Sequence, residues 1–194
     1  MQENIFFNLR DIKKLGKNTI IGKTVRLRKP ELCIIEKNSI IDDFTYISTK
    51  LILGTGSHIA THVTIAGGSD FTCYVGDFSG IGSGSRLYCD SSDFICEITS
   101  IIPKQCRLPA KAGDIIMKKY TGIGGNSIIL PNVTFNEGAV LGSLSLVPAD
   151  MELKSWTLYA GIPAKPIRER NKKVILKQVE AVKAEYKKIN EKTN

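Results

Sequence analysis

The sequence predicts an all-β protein, a solenoid of short parallel strands with a long loop excursion and a C-terminal α-helix. Three observations predict this class. Aliphatic residues recur every six positions through most of the 194-residue chain, small or β-branched residues follow them at a fixed offset, and a helical pattern begins only after the repeat ends. An amphipathic helix would repeat its apolar positions at three and four, and a strand meander would alternate strictly.

The six-residue spacing defines the expected core. Its members are Ile21, Leu27, Ile35, Ile41, Ile47, Leu53, Ile59, Ile65, Val75, Ile81, Leu87, Met117, Ile123, Ile129, Phe135, Leu141 and Val147. Three units of six make one triangular coil of 18 residues, and each coil buries the core of the next. The residue four places after the aliphatic one is small or β-branched and is also expected to point inward.

The repeat ends after Val147, and residues 167–192 then place Val174, Ile175, Val179, Val182, Tyr186 and Ile189 on one helical stripe. Such a helix could cover the open end of the stack, while the segment NLRDIKKLG caps the other end. We therefore expect a β-helix domain over residues 1–150, with a loop at 88–116, and a C-terminal extension with the helix over 151–194.

The net charge of +8 is concentrated at the C-terminus. The last 30 residues hold ten Lys/Arg and four Glu, whereas residues 1–164 hold 17 basic and 15 acidic residues. Because no nucleic-acid reading motif is present, we expect no nucleic-acid partner, and a basic tail beside an anionic cofactor is the better interpretation.

The apolar runs are too short to span a membrane, and the first residues lack the features of a secretory signal. Five cysteines, an odd number without a C-x-x-C pair, favour free thiols in a reducing compartment. We expect a cytoplasmic protein.

Three segments carry a resemblance to a known family: VGDFSGIGSGSRLY (75–88), LPNVTFNEGAVLGSLSLV (130–147) and AGIPAKPI (160–167). The chain resembles the hexapeptide-repeat acyltransferases, and within them the VioB-like enzymes that N-acetylate nucleotide-linked amino sugars for surface polysaccharide. The resemblance implies a left-handed parallel β-helix, a homotrimer with active sites between subunits, and acetyl-CoA as donor. The substrate it implies is a nucleotide sugar such as a dTDP-4-amino-4,6-dideoxyhexose.

The resemblance also implies a cofactor site. In the family the pantetheine arm lies along the coils, and basic residues near the C-terminal turn meet the phosphates. The positions expected to bind acetyl-CoA are Gly124, Ser143, Ser145, Gly161, Lys165 and Arg168. A compact ammonium or a guanidinium suits a phosphate group.

The chain has two histidines, His58 and His62, as candidates for the base that removes a proton from the acceptor. The segment Ile123-Gly124-Gly125-Asn126 lacks the histidine that galactoside and maltose acetyltransferases carry there. His58 immediately precedes the inward Ile59, so strand alternation points it outward, onto a flat face where a neighbouring subunit would pack. His62 falls at a turn corner and is the second choice. The metal-binding relatives of this fold use three histidines, and we expect no metal here.

The excursion between Leu87 and Met117 is expected to project toward a neighbouring subunit. Candidates for substrate contacts are Tyr88, Asp90, Ser92 and Glu97, and Asp93 could orient a histidine in the catalytic site.

Two alternative functions stay open. The same scaffold could O-acetylate a sugar hydroxyl, or it could be a non-catalytic β-helix that binds or scaffolds.

Overall fold

The computed structural model describes residues 4–92, 94–96, 98, 100, 103, 106 and 111–192, with side chains as far as residue 189. Three sheets, named here faces A, B and C, form the sides of a solenoid, and all their strand pairs are parallel except the last pair of face B. Face A contains β1 (Lys14–Leu15), β4 (Ile34–Ile35), β7 (Lys50–Leu53), β10 (Thr72–Val75), β15 (Ile115–Met117), β18 (Val133–Phe135) and β21 (Glu152–Leu153). Face B contains β2 (Ile20–Ile21), β5 (Ile40–Ile41), β8 (His58–Ile59), β11 (Gly80–Ile81), β16 (Gly122–Ile123), β19 (Val140–Leu141), β22 (Thr157–Ala160) and β23 (Lys165–Glu169). Face C contains β3 (Arg26–Leu27), β6 (Tyr46–Ile47), β9 (Thr64–Ala66), β12 (Arg86–Tyr88), β17 (Ile128–Ile129) and β20 (Leu146–Val147).

The six-residue repeat builds the core as predicted. Every one of the 17 aliphatic and aromatic positions of the repeat is at most 4% exposed. Where no residues are inserted, neighbouring coils pair residues 18 apart, as Ile41 with Ile59 and Ile123 with Leu141. Each buried aliphatic side chain removes enough apolar surface from water to contribute about 1.5–3 kcal/mol. The predicted parallel β-solenoid is confirmed.

The small residues between the aliphatic ones are buried too, and their hydroxyls satisfy the backbone at the corners. Ser57 Oγ accepts from Ser79 N at 3.1 Å, and Ser127 Oγ accepts from Ser145 N at 3.2 Å. A hydroxyl here removes the cost of leaving a buried N–H without a partner. This explains why serine and threonine occupy so many of these positions.

The coils extend beyond both boundaries expected from the sequence. Strand β15 includes Ile115 and Ile116, so the excursion returns to face A earlier than the predicted loop end at residue 116. Strands β21 and β22 add to faces A and B after residue 150. The base of the excursion is a two-stranded antiparallel ribbon of β13 (Asp90–Ser91) and β14 (Lys111–Ala112).

The C-terminal helix, α1 (Lys172–Lys192), starts five residues later than predicted. Strand β23 occupies part of the expected helical range because it pairs antiparallel with β22. The predicted stripe is also wrong at both ends, since Val174 is 61% and Ile189 49% exposed. Val179 is buried, and Tyr186 is half-buried.

The helix does not cover the open end of the solenoid, contrary to expectation. It runs back along the corner between faces A and B. Lys172 Nζ lies 5.2 Å from the ring of Trp156 in the last coil, and Tyr186 stacks on Phe78, three coils earlier, at 6.4 Å. The corner attracts the helix because it carries a column of aromatic side chains, with Tyr120 between Phe78 and Trp156.

Arg170 fastens the start of this helix to the solenoid. Its Nη1 donates to the backbone carbonyls of Tyr120 at 3.0 Å and Gly138 at 2.6 Å. Partial burial lowers the pKa of the guanidinium from its usual value.

At the other end the N-terminal segment packs on the first coil, as expected. Ile12 is 6% exposed, and Phe7 and Leu9 lie against the core. Within the described residues, no helix has the length and hydropathy to cross a lipid bilayer.

Candidate active site

An open groove runs across four neighbouring strands of face B, from β8 to β19. Its volume is about 380 Å³. The lining residues are His58, Ala60, Gly80, Ile81, Gly82, Gly122, Ile123, Gly124, Val140 and Leu141. His58 stands at one end of the strand order and Val140 at the other.

Two glycines form the floor of this groove. The outward-facing positions along it are His58, Gly80, Gly122 and Val140, which are paired strand by strand. Neither glycine has the positive φ that favours glycine. A Cβ added at Gly80 would meet only His58 O at 3.8 Å, and one at Gly122 would meet Val140 Cγ1 at 3.4 Å. The fold of one chain therefore tolerates side chains here, and their absence keeps a strip of backbone open.

His58 projects outward from β8 as predicted, and a carboxylate from the preceding coil holds it. The Nε2 atom lies 2.8 Å from Asp42 Oδ2, with the two side chains 50% and 42% exposed. A carboxylate can only accept a hydrogen bond. In a neutral His58 the ring proton therefore lies on Nε2, and Nδ1 is able to accept a hydrogen bond or a proton. An imidazole held in this way has one nitrogen that can accept a proton, as a general base requires.

Asp42 takes the orienting position for which the sequence suggests Asp93. The signal was present: Asp42 follows Ile41, His58 precedes Ile59, and these two isoleucines are 18 residues apart. An offset of one coil therefore brings the two polar side chains together.

His62 is held at the corner between faces B and C and does not line the groove. Its backbone has a φ of 59°, and its ring stacks on Phe44 at 5.0 Å. The Thr61 hydroxyl donates to Asp43 O at 2.7 Å, so at its 2.8 Å contact with His62 Nδ1 it accepts from the ring. His62 is thus fixed by stacking and a local hydrogen bond.

The candidate substrate residues of the excursion lie at the edge of face C. Tyr88 ends β12, Asp90 pairs with Ala112 at the ribbon base, and Ser92 is half-buried just beyond. None of these three lines the groove of the same chain. Asp93 and Glu97 lie outside the described residues.

The candidate cofactor residues divide into two groups. Gly124 lines the groove, and Ser143 is exposed at the next corner. Ser145 is 2% exposed, and its hydroxyl accepts a hydrogen bond from Gly161 N at 3.0 Å. This side chain therefore stabilises the solenoid backbone and is not accessible to a ligand. Gly161 has a φ of 104°, which turns the chain between β22 and β23.

Lys165 and Arg168 are exposed on β23, the last strand of face B. The strand order from the groove to this pair is β8, β11, β16, β19, β22 and β23. Five strand spacings separate His58 from the basic pair, which corresponds to about 24 Å. A long, flexible ligand with an anionic end could therefore lie along one sheet, with its neutral part over the glycines.

Among the described residues, no three His, Cys, Asp or Glu side chains come together as metal ligands. The described cysteines are all free, with Cys33, Cys73 and Cys89 buried. Burial raises the pKa of the Cys33 thiol to about 11 and that of Cys89 to about 12. These thiols are packing groups at neutral pH.

A hexapeptide solenoid with a glycine-floored groove, an oriented histidine and a basic terminal hairpin has the features of an acyltransferase that uses an acyl-CoA. No protein-family model matches the sequence. The chain is 32% identical over 172 residues to dTDP-4-amino-4,6-dideoxy-D-glucose acyltransferase from Escherichia coli, covering 84% of this chain and 85% of that protein. The chain therefore belongs to the family of the nucleotide-amino-sugar acyltransferases within the hexapeptide-repeat enzymes.

Solved structures agree with this family. AntD, an N-acyltransferase from Bacillus cereus, was crystallised as a point variant with dTDP-4-amino-4,6-dideoxyglucose and coenzyme A. It matches with a TM-score of 0.82 at 32% identity, covering 93% of this chain and 99% of AntD. The complex of AntD with dTDP and 3-hydroxybutyryl-CoA matches with a TM-score of 0.80 at 31% identity, covering 94% and 99%.

Proposed function

We propose that this protein transfers an acyl group, acetyl in the simplest case, from an acyl-CoA to the amine of a dTDP-linked 4-amino-4,6-dideoxyhexose. The single observation that carries the proposal is the continuity of face B. One sheet carries the His58–Asp42 pair, the open glycine strip and the basic hairpin in that order. The relatives that bind dTDP-sugar and coenzyme A share this solenoid over nearly its whole length.

The chemistry needs a neutral amine, one proton acceptor and a thioester held in place. The amine nitrogen forms a bond to the acyl carbon, the bond from that carbon to sulfur breaks, and the sulfur leaves as a thiolate. His58 Nδ1 takes the proton that the nitrogen loses, while Asp42 stabilises the imidazolium that forms. The thiolate is protonated afterwards.

The donor fits the groove by shape and charge. Lys165 and Arg168 supply cations for the phosphates of coenzyme A, while Gly80 and Gly122 let an extended arm approach the backbone closely. Exposed Leu144 and Ile162, 69% and 75% accessible, offer apolar surface in the turns near the same end.

A homotrimer with its sites between subunits completes this proposal. Tyr88, Asp90 and Ser92 lie away from the groove of their own chain, and a second copy packed beside face B would bring such residues to His58. The excursion also exposes apolar side chains that favour contact with another copy, with Phe94 77% and Ile95 92% accessible.

We place the reaction in the cytoplasm, in the synthesis of an amino sugar for surface polysaccharide such as the O-antigen of lipopolysaccharide. Free buried thiols support a reducing compartment. Nucleotide-linked sugars are the activated form in which a sugar is modified before it is transferred.

The test is a thiol-release assay with purified protein. Acetyl-CoA and 3-hydroxybutyryl-CoA are each tested with dTDP- and UDP-linked amino sugars, and the masses of the products are measured by mass spectrometry. We expect turnover with a dTDP-linked amine and an amide in the product. Absence of turnover on every amine would refute the proposed function.

Acyl transfer to a sugar hydroxyl is the second candidate, and the His58–Asp42 pair is the observation that favours it. A hydroxyl has a much higher pKa than a protonated amine and needs an oriented base more strongly. Matched dTDP-sugars that carry a hydroxyl or an amine at the same carbon separate the two reactions.

A further inference from the structure

Face C carries three exposed arginines within its first four strands, and we call this set the arginine face. Arg26 lies on β3, Arg28 follows it by two residues, and Arg86 lies on β12. The whole chain contains seven arginines and 20 lysines. A chain that otherwise uses lysine for positive charge has therefore placed nearly half of its arginines on one surface.

No carboxylate on the described strands of face C balances the positive charges of these arginines. Arg28 Nη1 lies 3.5 Å from Tyr46 Oη, and Arg26 lies over the ring of Phe6 at 5.5 Å. The guanidinium of Arg86 makes no hydrogen bond or ion pair with any residue that the structure describes. The paired outward positions of face C are Arg26, Tyr46, Thr64, Arg86, Ile128 and Leu146, which include no carboxylate. Uncompensated positive charge on one face attracts an anion.

The type of side chain narrows the class of anion. The guanidinium presents a planar fork of donors that matches phosphate oxygens, which a lysine does not. Strands β3 and β12 are three strand spacings apart, or about 14 Å. Long arginine side chains from both ends of that span can converge on a ligand with two adjacent phosphates.

The proposed reaction has two phosphate-bearing substrates, and the structure has two separate basic surfaces. Lys165 and Arg168 lie on β23, the last strand of face B, whereas the arginine face lies on another side of the solenoid. Along the solenoid axis, the strands of the arginine face, β3 to β12, span the coil that contains His58. We infer that Arg26, Arg28 and Arg86 bind the diphosphate of the nucleotide-sugar acceptor, an inference that rests on the proposed function.

The test measures binding of dTDP, thymidine and coenzyme A by calorimetry. The variants are Arg28→Gln and Arg86→Gln, with Arg86→Lys as the conservative change and Arg10→Gln as the control. Arg10 is an exposed arginine in the N-terminal segment and lies on none of the strands of face C. Circular dichroism melting confirms that each variant is folded.

We expect each glutamine variant to raise the Kd for dTDP about tenfold, the size of one lost charge-assisted hydrogen bond. The Kd for coenzyme A and the weak binding of thymidine stay unchanged, Arg86→Lys recovers part of the loss, and Arg10→Gln behaves as wild type. In turnover the KM for the nucleotide sugar rises while the KM for the acyl-CoA does not.

Three results would overturn the inference. Unchanged dTDP affinity in both glutamine variants would remove the site. An equal loss of coenzyme A affinity would assign the arginines to the donor, and a change in sedimentation coefficient would make face C a contact between copies. A protein that binds dTDP through these arginines but acylates no amino sugar would refute the proposed function while leaving this site in place.

Discussion

The imidazole of His58 and the carboxylate of Asp42 meet at 2.8 Å across two adjacent coils of face B. Asp42 follows the buried Ile41, and His58 precedes the buried Ile59, which is paired with Ile41. The core register thus fixes the distance between two side chains that both point outward. Because both are about half exposed, the pair serves mainly to orient the ring, with little effect on stability.

Asp42→Asn should lower kcat with little change in either KM. The asparagine cannot hold a single tautomer of His58, because its amide can either donate or accept. We expect a loss of about 1.4 kcal/mol of transition-state stabilisation, which is tenfold in kcat. Asp42→Glu should recover part of it.

A spectroscopic measurement distinguishes this role from a structural one. The chain has two histidines, so His62→Gln leaves one imidazole to observe by long-range proton–nitrogen NMR. His58 should be protonated at Nε2 in that background and become a mixture of tautomers when Asp42→Asn is added. An unchanged tautomer together with an unchanged kcat would remove Asp42 from the site.

His58→Ala should lower kcat by about 100-fold, in line with the loss of a general base. The loss should be smaller with an amine acceptor that is already neutral at high pH. His62→Gln is the matched variant, measured in the same thiol-release assay. A larger loss in His62→Gln than in His58→Ala would make His62 the base.

Added side chains should destabilise the protein at one glycine, Gly54, and leave its stability unchanged at another, Gly80. A Cβ at Gly54 would lie 2.6 Å from Asp77 N, so the backbone must move in Gly54→Ala. This change should lower the free energy of unfolding by about 1–3 kcal/mol and be seen as a lower Tm. Gly80→Ala should fold normally, whereas Gly80→Val should raise the KM for acyl-CoA by filling the groove. Thr134→Val, at an outward position of face A, is the control for the valine change. An acyl-CoA KM that Gly80→Val leaves unchanged would mean that the arm does not cross this strip.

The corner aromatics should hold the C-terminal helix. Tyr186→Ala removes the ring that stacks on Phe78 and should destabilise the protein by about 1–2 kcal/mol. Hydrogen exchange should quicken along α1 and leave the amides of the core strands protected. Tyr186→Phe is the control, since it keeps the ring, and a Tm for Tyr186→Ala equal to that of Tyr186→Phe would refute this packing.

Thiol reactivity should divide the cysteines into two classes. Cys96 and Cys106 are exposed, whereas Cys33, Cys73 and Cys89 are buried with raised pKa values. At pH 8 a thiol reagent should modify two cysteines quickly in the native protein and five after unfolding.

The same shifts predict how stability depends on alkaline pH. A buried thiol stays protonated where the unfolded one ionises, so its contribution is complete below pH 9 and is lost as pH rises toward about 11–12. Denaturant midpoints measured between pH 8 and 10.5 should therefore fall with pH. Cys33→Ser should weaken that fall, and an equal fall in wild type and variant would contradict the assignment.

The sequence alone determined the coil. One short strand and one tight turn repeat every six residues, so local spacing is enough to predict the buried positions, the outward direction of His58 and the different settings of the two histidines. These features need only the period and the alternation of a strand. The family was also evident in the segments that close the repeat.

The tertiary structure decided what meets between coils and along the sides. The pairing of Asp42 with His58, the common face of Arg28 and Arg86, and the path of α1 depend on which coil lies next to which. Insertions such as the four extra residues before Val75 and the long excursion change the spacing in sequence without changing the stacking in space. A helix pattern shows which residues are apolar, but only the aromatic column from Phe78 to Trp156 shows which surface they bury against.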